Sequence, residues 1–273
     1  RTPRTSFQTL RQNDKEMNST KIIDTASAAV ANLIPAITGL TGNIAIASAG
    51  AIVAPIIQSG VSEIAHQILG NLQRKKVLAS ANITCETIVQ NLDKGKQLRT
   101  DDFFKFHHNP IVEENESPAS KLFDGSLLKA KEEYDSKKIP FISFFTANIF
   151  FAPNINESKA IVMLEILGKL TYRQLCGLYI FYKRNIMPVG RWEIRLKETP
   201  ALQDYYDIAY EFLSLKDSLL IVQNIPGQGI GISDYRISAL GKELVVTANL
   251  SSIPQEDLFC LENKVNYITS ALR

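Results

Sequence analysis

Between Asp24 and Glu63 the chain carries no charged side chain, although 21% of its residues are charged. The run is rich in Ala, Ile and Gly, and its centre reads Thr38-Gly39-Leu40-Thr41-Gly42-Asn43. This pattern predicts two helices joined by a Gly-rich turn, both apolar on nearly every face. A helix apolar all round needs surroundings that are apolar all round: a protein core, a second copy, or lipid. The first question for this chain is therefore what keeps these residues dry.

The first arm is expected to begin near Ser19 and to run through Ile22, Ala26, Ala29 and Leu33 towards Pro35. The second, over residues 44–60, sets Ala45, Ala47, Ser48, Ala49, Gly50, Ala51 and Ala54 among Ile44, Ile46, Ile52, Val53, Ile56 and Ile57. Small residues at such spacings let helix backbones approach closely. Pro35 and Pro55 are expected to end or kink the arms. A bilayer-spanning helix needs about 20 apolar residues; these arms are shorter, and Asn32, Pro35, Pro55 and Gln58 oppose insertion. Basic residues nevertheless flank both ends, Arg11, Lys15 and Lys21 before and Arg74, Lys75 and Lys76 after, as in a hairpin that enters from the cytoplasm. Three readings stay open: a hairpin buried in its own fold or an oligomer, one that enters a membrane conditionally, and a constitutive anchor. Ile44, Ile46, Gly50, Val53, Ile56 and Ile57 would carry self-association or membrane contact.

At 273 residues the chain can bury an ample core. An apolar content of 45% describes an ordinary folded protein rather than a polytopic membrane protein. A net charge of +2 demands no polyanionic partner for the whole chain. Cys85, Cys176 and Cys260 are far apart without metal-ligand spacing, as expected of reduced structural thiols in a cytoplasmic protein. Residues 1–18 form a polar arm without the apolar core of a signal peptide.

From Val61 onward the pattern is amphipathic, through Ile64, Ala65, Ile68, Leu69 and Leu72, with His66 at the edge of the stripe. Residues 74–98 carry Val77, Leu78, Ala81, Ile83, Ile88, Val89 and Leu92, and Gly95 stops that helix. A polar loop containing His107, His108 and Pro110 is expected next, before Ser117-Pro118 starts a helix through Leu122, Leu127, Leu128 and Ala130. Pro140 opens a strongly apolar helix of about eleven residues, too short to span a bilayer and therefore core. Residues 156–167 follow with Ala160, Ile161, Leu164 and Leu167 on one side. Thr171 with Gln174 then forms a capping box for a helix through Leu175, Leu178, Tyr179 and Tyr182.

Thr199-Pro200 is expected to cap a helix whose apolar face is Leu202, Tyr205, Tyr206, Ala209, Phe212 and Leu213. Residues 219–222 predict a strand, 224–231 a Gly- and Pro-rich turn, and 234–237 the returning strand. Ser238 then caps a helix with Leu240, Leu244 and Val245. This order, with the Arg236-Ile237-Ser238-Ala239-Leu240-Gly241 run and the Leu170-Thr171-Tyr172-Arg173-Gln174-Leu175 helix, resembles the winged-helix regulators over roughly residues 170–250. More loosely, the whole chain resembles uncharacterised bacterial proteins that join an apolar Gly/Ala-rich N-terminal hairpin to a winged-helix-like tail, similar to abortive-infection-type defence proteins. The resemblance implies antiviral defence and brings no assigned activity.

Winged helices usually bind nucleic acid through Lys and Arg against phosphates. Here the helix that would enter the groove bears Asp204, Asp207 and Glu211, with Asp217 beyond, and a duplex would repel it. Basic residues gather instead at Lys183, Arg184, Arg191, Arg195 and Lys197, around Trp192. A solvated linker, or contact with nucleic acid or anionic lipid through Arg74, Lys75, Lys76, Arg191 and Arg195, are the alternatives for these charges. The tail itself is expected to bind a protein partner or to dimerise.

Gly227-Gln228-Gly229-Ile230-Gly231 follows a strand but leads into another, whereas a dinucleotide loop must open a helix. His107-His108 with nearby acids lacks helical His spacing, so no metal site and no cofactor are expected. No nucleophile elbow, Walker loop or Cys-His pairing occurs, and no catalytic residues are assigned. The expected fold is mainly α: a polar arm (1–18), an apolar helical hairpin (19–72), a helical body (73–168) and a winged-helix-like tail with a small antiparallel ribbon (169–273). The expected function is a non-enzymatic, oligomeric defence or toxin-like effector, cytoplasmic and conditionally associated with the inner membrane. A nucleic-acid-binding regulator and an oligomeric scaffold are the alternatives.

Overall fold

The computed structural model describes residues 44–65, 70–111, 114–195, 205–224 and 234–271. The chain divides into two units, residues 1–164 and 165–273. The first arm of the expected hairpin, His66, Thr199-Pro200 with Leu202, and the Gly-rich turn at 227–231 lie outside the described residues.

In the first unit α1 (Ile44–Ala65) packs on α3 (Pro118–Glu132) and α2 (Asn71–Asp93), and α2 packs on α4 (Ile139–Ile149). α1 corrects two expectations. It runs unbroken through Pro55 and Gly60 rather than ending near them, and Leu72, expected on its apolar stripe, is exposed beyond it. The ring of Pro55 costs one intrahelical hydrogen bond, but Pro55 faces outward, where water can satisfy the freed carbonyl. α1 is also less uniform in its surroundings than in its composition. Ala49, Val53, Ile56, Ile57 and Val61 form one buried stripe, while Ala51, Ile52, Pro55, Gln58 and Ser59 are exposed.

α2 buries Val77, Ala81, Cys85, Ile88 and Leu92 at helical spacing. It stops where Gly95 takes a left-handed φ of 78°, at little cost for a residue without Cβ. α4 is buried on nearly every side, as its composition predicts, and polar groups link it to α2. The hydroxyls of Ser80 and Ser143 lie 2.9 Å apart, and Asn91 Nδ2 donates to Asn148 Oδ1 at 2.9 Å. Ser117 caps α3, accepting from the Ser120 amide. Arg99, almost fully buried, donates to the Ile155 carbonyl and to Asp101, and lies 4.1 Å from the Phe103 ring centroid.

The expected polar loop at His107 is instead a short antiparallel hairpin, β1 (His107–Asn109) with β2 (Glu114–Glu116). Both histidines are exposed. Among the described residues no three His, Cys, Asp or Glu side chains converge as a metal site would require.

α5 (Glu157–Lys169) leads into the second unit, which contains α6 (Tyr172–Arg184), α7 (Val189–Arg195), α8 (Tyr206–Asp217), α9 (Ala239–Thr247) and α10 (Gln255–Ala271). On α5, Met163 is buried and Ile161 is not, which shifts the expected apolar face. A three-stranded antiparallel sheet, β3 (Ile186–Met187), β4 (Ile221–Gln223) and β5 (Tyr235–Ile237), has the order β3-β5-β4, with Val222 opposite Arg236. β3 and α10 lie outside the sequence-based expectation. α8 buries Ile208, Ala209, Phe212 and Leu215, while Tyr206, placed on the apolar face by the sequence, is 40% exposed. Of the caps expected here, two lie in described residues and form: Thr171 Oγ1 accepts from the Gln174 amide at 3.1 Å, and Ser238 Oγ from the Gly241 amide at 2.9 Å. Gly241 must lack a side chain, because a Cβ there would lie 2.3 Å from the Leu220 carbonyl oxygen.

Candidate functional site

In the second unit α6 ends at Arg184, and Asn185 turns the chain with φ 64° into β3. Asn and Asp adopt the left-handed region more readily than other residues with a Cβ. Pro188 follows β3, and the first turn of α7 carries Arg191 and Trp192. Trp192 is fully buried, its ring edge-on to Phe212 at 5.6 Å, and Phe212 lies 5.8 Å from Phe181. Gly177 allows this packing, since a Cβ there would come within 3.2 Å of the Phe212 ring.

A cavity of about 330 Å³ opens beside this cluster. Its apolar wall is β3 and the turn after it, Ile186, Met187 and Pro188. Arg184 and Arg191 supply cationic groups, while Trp192, Asp234 and Thr269 complete the lining. Arg184 Nη2 donates to Asn266 Oδ1 at 2.8 Å on α10, which orients the guanidinium. Arg191 Nε lies 3.8 Å from Asp234 Oδ1, an ion-pair distance but too long for a hydrogen bond. Trp192 Nε1 and Asp234 Oδ1, on two of the lining residues, are shielded from water and make no hydrogen bond.

The neighbouring charges are neutralised. Arg173 on α6 pairs with Asp207, 2.8 Å away, and with Glu211, and the bond to Glu211 holds its guanidinium further above its usual pKa. The acidic face of α8 is thus partly compensated. Lys183 pairs with Glu262 on α10. Tyr172 donates to Asp257 Oδ2 at 2.7 Å, and burial, aided by this carboxylate, raises its phenol pKa.

Of the basic residues selected from the sequence, Arg191 and Arg184 share this cavity with Trp192. Arg195 ends α7, and its side chain lies outside the described residues, as does Lys197. Arg74, Lys75 and Lys76 belong to α2 of the first unit, where Lys76 Nζ donates to the Glu133 carbonyl. Gly50, Val53, Ile56 and Ile57 lie on the buried side of α1; the side chains of Ile44 and Ile46 are outside the described residues. Among the described residues, no helix is long and apolar enough to cross a membrane. Asp234, just before β5, and Thr269, on α10, are distant in sequence from the other lining residues; the sequence predicts the strand over 234–237 but not the helix that carries Thr269. No protein-family model, curated protein or solved structure matches the chain.

Proposed function

We propose that this protein is a non-enzymatic effector that stores its uncharged N-terminal segment in its own first unit and acts when that segment is released. One observation carries the reading: α1, without a charge from Ile44 to Ser62, docks through a single stripe and leaves the opposite stripe, with Ile52 42% exposed, open to water. A residue set that serves only as core has no use for an uncharged outer stripe; a contact surface does. Once free, Gly50, Val53, Ile56 and Ile57 would join it to self-associate or enter a lipid surface. The relation to defence proteins and the winged-helix-like character of the second unit belong to this proposal, supported by the uncharged run and by the helix, ribbon and helix order of residues 206–247.

Weakening the docking site should expose the activity. Phe123, fully buried, lies where a Cβ on Gly60 would come within 2.8 Å, so Phe123→Ala loosens α1. Phe145→Ala, in α4, gives a comparable loss of core without touching that seat. Wild type should remain unbound in flotation with vesicles containing anionic lipid. Phe123→Ala should float, or form a larger species by light scattering, and adding Ile52→Glu should abolish either effect. Equal behaviour of the Phe123 and Phe145 variants, or no binding and no assembly by either, overturns the proposal.

A further inference from the structure

We infer that the outer face of α10 is a contact surface for a second copy of this chain, the two helices lying antiparallel about a two-fold axis beside Cys260. α10 docks on its own unit through Leu258, Leu261, Val265 and Ile268, a buried stripe at helical spacing. The opposite face carries Glu256, Phe259, Cys260, Asn263, Lys264 and Tyr267, all exposed. Its two large aromatic side chains stand well out into water, Phe259 61% and Tyr267 51% exposed. Tyr267 is already held by Tyr205, with ring centroids 5.3 Å apart, so burying it against a partner orders little that is not ordered now. Aromatic residues are enriched at protein interfaces and depleted of reasons to stay on a solvated helix face.

The two charges on this face name the occupant. Glu256, Cys260 and Lys264 follow one another at intervals of four residues, on one stripe about 12 Å long. Glu256 lies one turn before Cys260, and Lys264 one turn after it. Antiparallel pairing with Cys260 at the axis therefore brings Glu256 to the partner's Lys264 and Lys264 to the partner's Glu256, as a self-complementary contact requires. Parallel pairing would set acid against acid and base against base, so charge also fixes the direction. Among the described residues neither Glu256 nor Lys264 has an ion-pair partner in its own chain, whereas Arg173 and Lys183 in the same unit are paired. One helix face is small beside the roughly 800 Å² per partner of a standard interface, so the pair is expected to be weak and concentration-dependent. It is independent of the release of α1, because every residue it uses belongs to the second unit.

Sedimentation equilibrium of the full chain up to submillimolar concentration should show a monomer and a dimer in exchange. Lys264→Glu and Glu256→Lys should each weaken the dimer at least about tenfold, since each sets like charges opposite one another twice. Their thermal midpoints should stay near wild type, because both residues are exposed. An equal mixture of the two variants should pair again, as only the mixed dimer matches acid with base at both positions. The axis is tested with copper(II) phenanthroline, which takes two electrons and two protons from a pair of thiols. A disulfide forms only when the two Cα atoms lie within about 7 Å. Sliding the axis to Asn263 would part the two Cys260 residues by about 9 Å along the helices and prevent it. Cys85 and Cys176 are buried, so a bridged dimer that is lost in Cys260→Ser reports Cys260. A chain that stays monomeric throughout, single variants that associate as well as wild type, a mixture that does not pair, or a dimer that Cys260 does not bridge overturns the inference.

Discussion

How firmly α1 is held can be measured with Ile56→Ala. Ile56 is fully buried on the stripe that faces α3 and α2, and the substitution removes three carbons. At about 0.8 kcal/mol per buried carbon the transfer loss alone is ~2.4 kcal/mol. A cavity that neighbouring residues do not fill brings Ile→Ala losses to about 2–5 kcal/mol. Fully buried Phe123, on the helix that α1 docks against, limits collapse of the void, so a value in the middle of that range, about 3–4 kcal/mol, is expected. Ile52→Ala removes the same three carbons from a side chain 42% exposed on the opposite face, and its cost should stay near 1 kcal/mol. Urea unfolding followed by far-ultraviolet circular dichroism gives both values, and hydrogen exchange of peptides covering residues 49–61 shows where the loss is felt. A difference below about 1 kcal/mol between the two variants would refute the stripe assignment. Exchange in 49–61 as fast as in an unfolded peptide in wild type would refute docking altogether.

Three further outcomes follow from particular residues. Burial, reinforced by the nearby charge of Glu86, pushes the Cys85 thiol up to about 12, above the ordinary value of 9.0. Above pH 9 the unfolded chain therefore loses a proton that the native state keeps, and stability falls by about 1.4 kcal/mol per pH unit from this group; the wild-type stability curve between pH 9 and 11 should be steeper than that of Cys85→Ala, and parallel curves would refute the assignment. Gly241→Ala sets a methyl group against the Leu220 carbonyl and should cost at least about 2 kcal/mol by separating α9 from β4, measured as a lower thermal midpoint by Trp192 fluorescence. Leu219 is 66% exposed and held at φ 57°, where a branched residue loses about 1–2 kcal/mol, so Leu219→Gly should raise the midpoint of chemical unfolding or leave it unchanged; a drop above about 1 kcal/mol would show that its side chain packs.

Much of the secondary structure is local chemistry and was legible for that reason. Ser117, Thr171 and Ser238 cap the helices they precede because a hydroxyl two or three residues before a free amide satisfies it whatever the rest of the chain does. The burial of α4 follows from its mostly apolar residues, with Phe141, Ile142, Phe145 and Ile149 inside, and Pro140 near its start places its first turn. α10 is legible too, since Leu258, Leu261, Val265 and Ile268 recur at helical spacing, yet it is the element the sequence-based reading leaves out. Pro55 misleads because the penalty of a proline depends on which side of the helix it faces, and a single helix pattern does not say which side docks. β1 and β2 are three residues each, and β3 only two, so too little periodicity exists for a strand signal.

The cavity shows the same division. Arg184, Arg191 and Trp192 come from one stretch of chain, and their clustering of charge around an aromatic is visible in the sequence. What the charge cluster is for depends on Asp234, more than forty residues later, arriving through the pairing of β5 with β3, Met187 opposite Tyr235. Without that strand pair the two guanidinium groups describe a solvated basic linker. With it Arg191 stands 3.8 Å from the Asp234 carboxylate, an ion pair between residues far apart in the chain. The β3–β5 pairing is thus the step that turns a charge pattern into a lined cavity, and Met187→Pro, which removes a backbone donor from the short edge strand β3, should lower the thermal midpoint followed by Trp192 fluorescence while leaving the capped helix α6 in place; an unchanged midpoint would refute the role of this pairing.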